Sequence, residues 1–321
     1  MKKGIMVAGS ILVDKINEIS AFPKAGELTQ ILSTDMAVGG CVPNVAVDLK
    51  VIDGTVPVYA CGKTGADEEG SFVRNELGKY GVITDDISVS PSDKTSFTDV
   101  MSVRGGERTF FTFAGASALF GKTDVNLDRN DICMLHLGYF LLLKKVDEGD
   151  GLEILKAAKE KGIKTSIDLV SENSDRYSLI LPCLRYVDNL IVNEIEAGKL
   201  AGIAATRGNL REICEKLKKA GVRERVIIHM PDLSVCLSER GYAELASFDL
   251  PENYIKGSTG AGDAFCAGAL CGIYRGVSDA EILNLASCCA AVSLRAPDAV
   301  SGMMRAEKAI DFCSRFKRKN V

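Results

Sequence analysis

Short runs rich in valine and isoleucine alternate with stretches of helical periodicity along most of this 321-residue chain. The runs, which we predict to be buried strands, are residues 4–9, 56–60, 132–137, 163–168, 189–192 and 225–229. The helical stretches between them are 43–52, 67–80, 150–161, 194–201 and 208–220, and three more follow at 262–275, 279–294 and 305–318. Because strands that alternate with helices are joined by crossovers, this pattern predicts an α/β fold with a mostly parallel sheet covered by helices.

A second, smaller sheet is predicted in the N-terminal third, where residues 27–36, 95–103 and 107–113 do not follow this rhythm. The last two have the composition of strands, and Gly105 and Gly106 between them suit a hairpin turn. These strands come from separated stretches, and we find no linker in the sequence. We therefore interpret the small sheet as an excursion from a single domain that spans residues 1–321.

The distribution of charge and apolar residues argues against nucleic-acid and membrane partners. With 39 Lys and Arg against 43 Asp and Glu the net charge is −4, and the one basic block is 315–319. Nucleic-acid binding needs a clustered basic face, so we interpret this block as a solvated helix end. The longest uncharged apolar stretches, 132–143 and 282–294, are shorter than the ~18 residues that span a bilayer. We interpret the apolar N-terminal run that ends at Val13 as a first strand and not as a signal peptide.

Cysteine and histidine usage limits the metal and redox chemistry that we expect. The eleven cysteines include no Cys-x-x-Cys pair, which predicts reduced, mostly buried thiols in a cytoplasmic protein. The two histidines, His136 and His229, each lie within an apolar, strand-like stretch. We expect both in the core, so a zinc site or a histidine-based catalytic triad is not expected.

The most informative motif is the segment 257–263, which reads Gly-Ser-Thr-Gly-Ala-Gly-Asp and opens a helix. Gly260 and Gly262 allow a tight turn in which several N–H groups point at one spot at the positive end of the helix, and such a spot holds phosphate. Asp263 cannot itself bind an anion, which suggests a general base for the hydroxyl that attacks the phosphorus. The alternative is that Asp263 only caps the helix.

Two further Gly-Lys-Thr segments resemble the end of a phosphate-binding P-loop but lack its leading glycine. Before Gly62 the required position is Pro57, and before Gly121 it is Ala116. No Gly-x-Gly-x-x-Gly follows the first strand either. These observations argue against a Walker-type site and against a dinucleotide-binding oxidoreductase.

Other polar residues fall where a ligand could be bound. The glycine pair Gly39 and Gly40 precedes a helix with Asn44 in its first turn, and Asp14 follows the run that we predict as the first strand. Asn193 and Glu196 follow the strand 189–192 and begin a helix, where they share a face and could hold water-bound Mg²⁺ near phosphates. For each of them the alternative is a helix cap or a turn.

Together, in order and spacing, these motifs resemble those of the ribokinase-like (PfkB) carbohydrate and nucleoside kinases. The resemblance covers nearly the whole chain and rests on five segments: Gly9-Ser10 with Asp14, Gly39-Gly40 with Asn44, residues 62–70, Asn193-x-x-Glu196, and residues 259–263. It implies a three-layer α/β/α sandwich with a small β-sheet lid, whose strands are inserted at about 11–36 and 95–115. By this likeness the lid closes over the acceptor and pairs two subunits in a homodimer.

The resemblance also implies a role for each motif. Asp14, Gly39, Gly40 and Asn44 would bind acceptor hydroxyls, while Asn193 and Glu196 would organise Mg²⁺ and phosphate without a direct protein-only metal site. Gly260, Ala261 and Gly262 would form the anion hole, and Asp263 would be the catalytic base. We therefore expect an ATP-dependent sugar kinase that phosphorylates a hydroxymethyl group of a ribose- or fructose-like acceptor. A nucleoside kinase of the same family and a non-catalytic sugar- or nucleotide-binding sensor remain as alternatives.

Three departures from the family pattern concern the nucleotide and cation sites. Gly257 stands where the family usually has an Asp that helps to hold a monovalent cation, so weak potassium activation is expected. Residues 229–234 read His-Met-Pro-Asp-Leu-Ser in place of the usual Thr-x-Gly-x-x-Gly, and Ser287 replaces a frequent Asn near the adenine. We therefore expect an atypical nucleotide pocket.

Overall fold

In a computed structural model that describes residues 3–104 and 106–320, thirteen strands form two sheets. The strands are β1 Gly4–Ala8, β2 Leu12–Ile19, β3 Ile31–Gly39, β4 Val58–Gly65, β5 Ile83–Ser90, β6 Ser96–Val103, β7 Arg108–Phe113, β8 Ile132–Phe140, β9 Lys164–Leu169, β10 Asn189–Asn193, β11 Arg225–His229, β12 Leu233–Ser238 and β13 Gly241–Ala246. The α-helices are α1 Cys41–Ile52, α2 Glu68–Lys79, α3 Gly151–Glu160, α4 Glu194–Ala201, α5 Leu210–Ala220, α6 Ala261–Arg275, α7 Asp279–Ser293 and α8 Ala306–Cys313.

The main sheet has nine strands in the order β13-β12-β11-β10-β9-β8-β1-β4-β5. The seven strands from β11 to β5 in this order pair in parallel, and β12 and β13 add an antiparallel edge. Parallel strands have their carboxyl ends at the same edge of the sheet, and in open α/β folds ligands bind at that edge. This topology therefore places the loops that follow β1, β8, β9, β10 and β11 at the same edge of the sheet, where a ligand could bind.

Alternate residues of β1 pack into two separate hydrophobic cores, one on each face of the main sheet. Ile5 and Val7 belong to a core that includes residues of α1, α2, α6, α7 and α8. Met6 and Ala8 belong to a core on the opposite face, which includes residues of α3, α4 and α5. Because successive side chains of a strand point to opposite faces, this division confirms the predicted three-layer α/β/α arrangement.

The small sheet has the strand order β3-β2-β6-β7. In it β2 pairs antiparallel with β3 and parallel with β6, and β6 pairs antiparallel with β7. All six residues of the edge strand β7 are exposed. Of the hairpin turn predicted between β6 and β7, Gly105 lies outside the described residues.

The prediction of a single first strand that ends at Val13 is wrong. The apolar run divides into β1, in the main sheet, and β2, in the small sheet. Gly9 adopts a φ of +143° between them, where a Cβ would lie 2.6 Å from the carbonyl oxygen of Gly138. A glycine is needed at this turn because other residues rarely adopt such a φ. Asp14 therefore lies within a strand of the small sheet and not after a strand of the main one.

Other boundaries also differ from the sequence prediction. The predicted strand 27–36 is β3, shifted to Ile31–Gly39, and β5, β12 and β13 were not predicted. The C-terminal helix, predicted to extend to residue 318, ends at Cys313. Arg318 donates to the carbonyl of Ala246 and to Asn284 Oδ1, and it lies over the Phe248 ring. The basic block is therefore not a solvated helix end.

The expectations for buried thiols and histidines are largely confirmed. Ten of the eleven cysteines are buried, and Cys133 is half-buried. His136 is fully buried in β8. His229 is half-buried at the end of β11, which corrects its assignment to the core. Among the described residues, no helix is both long and apolar enough to cross a membrane.

Candidate active site

Asp263 lies in the first turn of α6, at the amino end of that helix, and is 95% buried, with 5% of its surface exposed. Gly260 precedes the helix with a φ of +78°, and a Cβ there would overlap Ala299. The Ala264 N–H donates to the Gly260 carbonyl at 2.8 Å, and the Ala261 N–H donates to Ser258 at 3.3 Å. First-turn N–H groups of a helix have no acceptor within it and can bind an anion, but the N–H of Ala261 would have to release Ser258 to do so.

Two side chains from other elements donate hydrogen bonds to the same oxygen of Asp263. Asn44 Nδ2 lies 2.8 Å and Tyr139 Oη 3.0 Å from Asp263 Oδ2. Neither bond goes to the backbone of α6, and α6 has no side-chain cap at Gly260. The geometry therefore does not support the alternative in which Asp263 only caps the helix. It leaves Oδ1 as the oxygen that could accept a proton from a ligand hydroxyl.

The pKa of Asp263 is raised to about 7. Burial is the main cause and the negative charge of Asp168 adds to it, while the hydrogen bonds from Asn44 and Tyr139 oppose the rise. A carboxyl group with this pKa is about half ionised at neutral pH. General bases work best when their pKa lies near the operating pH. Asp263 therefore has the burial, the geometry and the pKa of a general base.

The first turn of α1 holds Asn44 beside Asp263. Gly40 precedes α1 with a φ of +89°, and Ser10 takes the place of a cap, since its hydroxyl accepts from the Cys41 N–H at 3.2 Å and its carbonyl from the Val42 N–H. The Oδ1 atom of Asn44 is buried and has no hydrogen-bond partner among the described residues. A buried polar atom without a partner is costly, so a donor group on a ligand would satisfy it.

The position of Asp14 next to the glycine pair depends on Gly39. In β2, Asp14 is paired with Ala37 and Thr98 of the neighbouring strands. A Cβ on Gly39 would lie 2.6 Å from Asp14 Oδ2, so only glycine leaves room for the carboxylate. Burial raises the pKa of Asp14 to about 6. The small sheet thus brings a carboxylate to the start of α1.

Asn193 and Glu196 form a capping box at the start of α4, which was the alternative interpretation for this pair. Asn193 Oδ1 accepts from the Glu196 N–H at 2.9 Å, and Glu196 Oε2 accepts from the Asn193 N–H at 3.0 Å. Glu196 Oε1 also accepts from Ser171 Oγ and from Asn193 Nδ2. The pKa of Glu196 is raised to about 7. Burial is the main cause, the hydrogen bonds from Asn193 and Ser171 oppose the rise, and the charge of Asp168 adds to it.

Sequence reasoning missed Tyr139 and Asp168. Asp168 lies near the end of β9, and its Oδ1 accepts from the Tyr139 N–H at 2.6 Å. Tyr139 belongs to β8 with a φ of +60°, an unusual conformation that directs its hydroxyl to Asp263. Both residues lie close to the carboxyl ends of neighbouring parallel strands. That position was the signal that could have identified them.

The unusual segment 229–234 is a tight hairpin between β11 and β12. His229 pairs with Ser234 across it, and the Met230 N–H donates to the Leu233 carbonyl. The His229 ring lies 4.6 Å from the ring of Phe265, and burial lowers the pKa of His229 to about 4. A neutral imidazole therefore flanks the start of α6. Ser234 Oγ lies 3.4 Å from Ser287 Oγ, so the unusual segment 229–234 contacts Ser287, the other departure from the family's nucleotide site.

Two surface cavities, of about 530 and 420 Å³, lie elsewhere, beside α4. Both are lined by Lys199 and Gly202, and neither is lined by a residue predicted to bind a ligand. We therefore assign the candidate site from the convergence of Asp263, Asn44 and Tyr139 and not from cavity volume.

Comparisons with known proteins give the same family as the motifs. Residues 2–305 match the model of the pfkB family carbohydrate kinases. Ribokinase of Arabidopsis thaliana is 24% identical over 308 residues, which cover 93% of this chain and 78% of that protein. The structure of Arabidopsis thaliana ribokinase complexed with ribose and ATP superposes with a TM-score of 0.82 at 22% identity, covering 99% of this chain and 100% of that one. A nucleoside kinase of Methanocaldococcus jannaschii gives a TM-score of 0.77 at 17% identity, covering 98% and 100%. The predicted resemblance and fold are confirmed.

Proposed function

The chain belongs to the pfkB family of ATP-dependent carbohydrate kinases, and we propose that it transfers the γ-phosphoryl group of ATP to a hydroxymethyl group of a ribose- or fructose-like sugar. The observation that carries this proposal is the environment of Asp263. A buried carboxyl group with a pKa of about 7 lies in the first turn of α6, and one of its oxygens is held by Asn44 and Tyr139. A base and an anion site are thus adjacent, as phosphoryl transfer to a hydroxyl requires.

In the proposed reaction, the acceptor hydroxyl donates its proton to Asp263 as its oxygen bonds to the γ-phosphorus and the bond between that phosphorus and the ADP oxygen breaks. The proton is retained on the carboxyl group, and the negative charge leaves with ADP. We assign the stabilisation of the charge that develops on the transferred group to the backbone N–H groups of Gly260, Ala261 and Gly262, of which the Ala261 N–H would exchange its bond to the Ser258 carbonyl for one to the phosphoryl oxygen. Because both protein hydrogen bonds to Asp263 go to Oδ2, its Oδ1 is free to accept the hydroxyl proton without breaking them.

We assign acceptor binding to Asp14, Gly39, Gly40 and Asn44. Asp14 offers carboxylate oxygens to sugar hydroxyls, and the unpartnered Asn44 Oδ1 accepts from one more. The glycines at 39 and 40 keep the start of α1 free of side chains, so a ring can lie close to the backbone. The proposal is supported by the Arabidopsis ribokinase of the same fold, whose structure contains ribose and ATP.

We assign Mg²⁺ and phosphate organisation to Asn193 and Glu196. Mg²⁺ prefers oxygen ligands and retains several of its waters. Both Glu196 oxygens already accept hydrogen bonds from protein groups, which suits contact through those waters better than direct ligation. The residues therefore fit a hydrated cation, and bound Mg²⁺ would neutralise charge on the phosphates.

A nucleoside acceptor is the second candidate, since the Methanocaldococcus jannaschii relative of this fold is a nucleoside kinase. A base would be expected to stack on an aromatic ring of the small sheet. The centre of the Phe97 ring, however, already lies 5.3 Å from the centre of the Phe113 ring and 4.3 Å from Lys15 Nζ. Phe97 is therefore less available to a base, whereas Phe111, with 59% of its surface exposed, could still stack on one. The sensor alternative has less support, because a base and an anion site are both present.

The test is a phosphate-transfer assay over pentoses, hexoses, sugar acids, polyols and nucleosides, with wild type and Asp263→Asn. We expect turnover on a pentose or hexose, and a kcat that falls by about 10² to 10⁴ in the variant because Asn cannot accept the proton. ATP binding, measured by calorimetry, should change little because the anion site is backbone. Turnover on nucleosides alone would favour the second candidate. A folded variant that retains more than about a tenth of wild-type kcat would exclude Asp263 as the base.

We also propose that the small sheet acts as a lid over the acceptor and pairs two copies of the chain, and that the protein is cytoplasmic. Large apolar side chains of its edge strands are exposed, among them Ile31, Leu32, Phe110 and Phe111, with 51 to 60% of their surface in solvent. A patch of this kind on a sheet edge is typical of a protein interface. The abundant buried thiols suit a reducing compartment.

A further inference from the structure

Three side chains that can ligate a metal converge beneath the candidate active site. His136 Nε2 lies 3.4 Å from Asp168 Oδ2 and 3.6 Å from Cys266 Sγ. One ligand atom from each residue lies within 4.8 Å of the other two, and all three residues are buried. They come from β8, β9 and α6, so the fold and not a local motif brings them together.

Within the cluster, His136 Nε2 has two competing neighbours, Asp168 Oδ2 and Cys266 Sγ. His136 Nδ1 lies 2.9 Å from Ser166 Oγ, so this nitrogen is engaged in either tautomer of a neutral ring. His136 Nε2 then faces both a carboxylate oxygen and a thiol sulfur, and with at most one proton it can form one good hydrogen bond. An imidazole nitrogen, a carboxylate oxygen and a sulfur are each able to donate an electron pair to a cation.

The spacing of the three atoms matches that of zinc ligands. With Zn–N and Zn–O bonds of about 2.0–2.1 Å and Zn–S bonds of about 2.3 Å, tetrahedral ligands lie about 3.3 to 3.6 Å apart. The two distances from His136 Nε2, 3.4 and 3.6 Å, fall in or at the limit of that range. The ligand atoms of Asp168 and Cys266 lie within 4.8 Å of each other, and metal binding would have to bring them to about 3.6 Å.

We propose that His136, Asp168 and Cys266 form a binding site for Zn²⁺, separate from the Mg²⁺ and phosphate site. On binding, the Cys266 thiol loses its proton to solvent and its sulfur bonds to the metal, and His136 binds through neutral Nε2. Water completes the coordination from the side of Asp168, which is the most exposed of the three with 8% of its surface accessible. Thiolate and imidazole ligands select Zn²⁺ over Mg²⁺.

The surroundings hold two of the ligands in place. His136 Nδ1 lies 2.9 Å from Ser166 Oγ, so in the metal-bound tautomer Nδ1–H would donate to this hydroxyl and leave the Nε2 lone pair for the metal. The Tyr139 N–H donates to Asp168 Oδ1, so Oδ2 is the oxygen left for the metal. The proposed site differs from our expectation from the sequence, in which two core histidines provide too few ligands for a zinc site.

The first experiment is a titration of the chelator-treated full-length protein with Co²⁺, which reports thiolate ligation by a charge-transfer band. We expect one equivalent to bind with such a band, Zn²⁺ to abolish it, and excess Mg²⁺ to leave it unchanged. Cys266→Ser should lose the band. The control Cys133→Ser changes a half-buried cysteine of β8 outside the cluster and should keep it. Absence of the band in wild type, or its persistence in Cys266→Ser, would overturn the proposal.

A second measurement does not depend on Cys266→Ser being folded. Removing the group that orients a metal-bound histidine weakens metal affinity by about 10- to 100-fold. We therefore expect Ser166→Ala, which removes the group that orients His136, to lower the Zn²⁺ affinity, and Asp168→Asn to lower it because a carboxylate ligand is lost. The affinity is measured by competition with a chromogenic chelator, and both variants should keep the Co²⁺ charge-transfer band because Cys266 is retained. Wild-type affinity in both variants would refute the ligand assignment.

Discussion

The substitution Tyr139→Phe removes the hydroxyl whose hydrogen bond to Asp263 Oδ2 stabilises the ionised form of the carboxyl group. Phenylalanine keeps the ring and can adopt the same backbone conformation, so the change is confined to one bond. Loss of that bond favours the protonated carboxyl group. The pKa of Asp263, which is about 7 in the wild type, must therefore rise.

The size of the effect follows from the bond that is lost. A hydrogen bond to a charged group contributes about 1.5 to 3 kcal/mol, which corresponds to a rise of about 1 to 2 pKa units. The pKa of Asp263 then becomes about 8 to 9, and its ionised share at pH 7 falls from about a half to about 1 to 10%. Since only the ionised form can accept the proton, kcat/KM at pH 7 should fall by about 5- to 50-fold.

The assay is the pH dependence of kcat/KM with the best acceptor. In the wild type, activity should rise with pH through about 7, and in Tyr139→Phe the same rise should occur about 1 to 2 units higher, so that the two rates approach each other above about pH 9. The matched control is Tyr59→Phe, since Tyr59 Oη also lies 3.0 Å from a carboxylate oxygen, that of Asp131, at the opposite edge of the sheet. A loss in Tyr139→Phe that is equal at every pH would refute the electrostatic role.

Three other predictions concern cations, stability and assembly. Gly257 supplies no carboxylate, and a Cβ there would lie 2.9 Å from the Ala296 carbonyl oxygen. Initial rates in sodium and potassium chloride should therefore be similar, and a saturable rise specific to potassium would contradict this. Asp48 is fully buried, its oxygens have no partner among the described residues, and burial raises its pKa well above the usual range. Below the unfolded pKa its contribution to stability is complete, and between the unfolded and folded pKa values stability should fall by up to about 1.4 kcal/mol per pH unit. Asp14, Glu196 and Asp263 also have raised pKa values and remain in Asp48→Asn. Urea unfolding at pH 5 and pH 8 should therefore show a larger loss of stability in wild type than in Asp48→Asn, and equal losses would refute the prediction. Light scattering at micromolar concentration should give the mass of a dimer, and Phe110→Asp with Phe111→Asp should give a monomer; a wild-type monomer with acceptor present would exclude pairing through the small sheet.

The parts of the site that could be predicted are those in which neighbouring residues act together. The turn at Gly260 and the position of Asp263 in the first turn of α6 are both contained in seven consecutive residues. The pairing of Asn193 with Glu196 is likewise set by their separation of three residues at a helix start. The main sheet was predictable for the same reason, because its parallel strands are short apolar runs between helices. Strands β5 and β13 were missed because their residues are more polar and partly exposed.

Residues whose roles depend on contacts between distant segments were not predictable from one sequence. The apolar run to Val13 does not show by itself why the chain leaves the main sheet after β1, because the turn depends on the close approach of Gly9 to Gly138. Tyr139 lies just after the predicted strand 132–137 and carries no motif, since only the folded chain shows its φ of +60° and its bond to Asp263. His136 was correctly expected in the core, but its two partners come from other elements.

The same long-range contacts set the chemistry of the two carboxyl groups with pKa values of about 7. Burial raises the pKa of Asp263 and of Glu196, and Asp168 of β9 adds to both through its charge. Hydrogen bonds from Asn44 and Tyr139 in one case, and chiefly from Asn193 in the other, oppose the rise. Each pKa is therefore a balance between two effects that both residues share, burial and the charge of Asp168, and the hydrogen bonds that each carboxyl group accepts. For Asp263 that balance leaves the proton with little preference for either state near neutral pH, which is the condition under which a base can take a proton and release it in the next turnover.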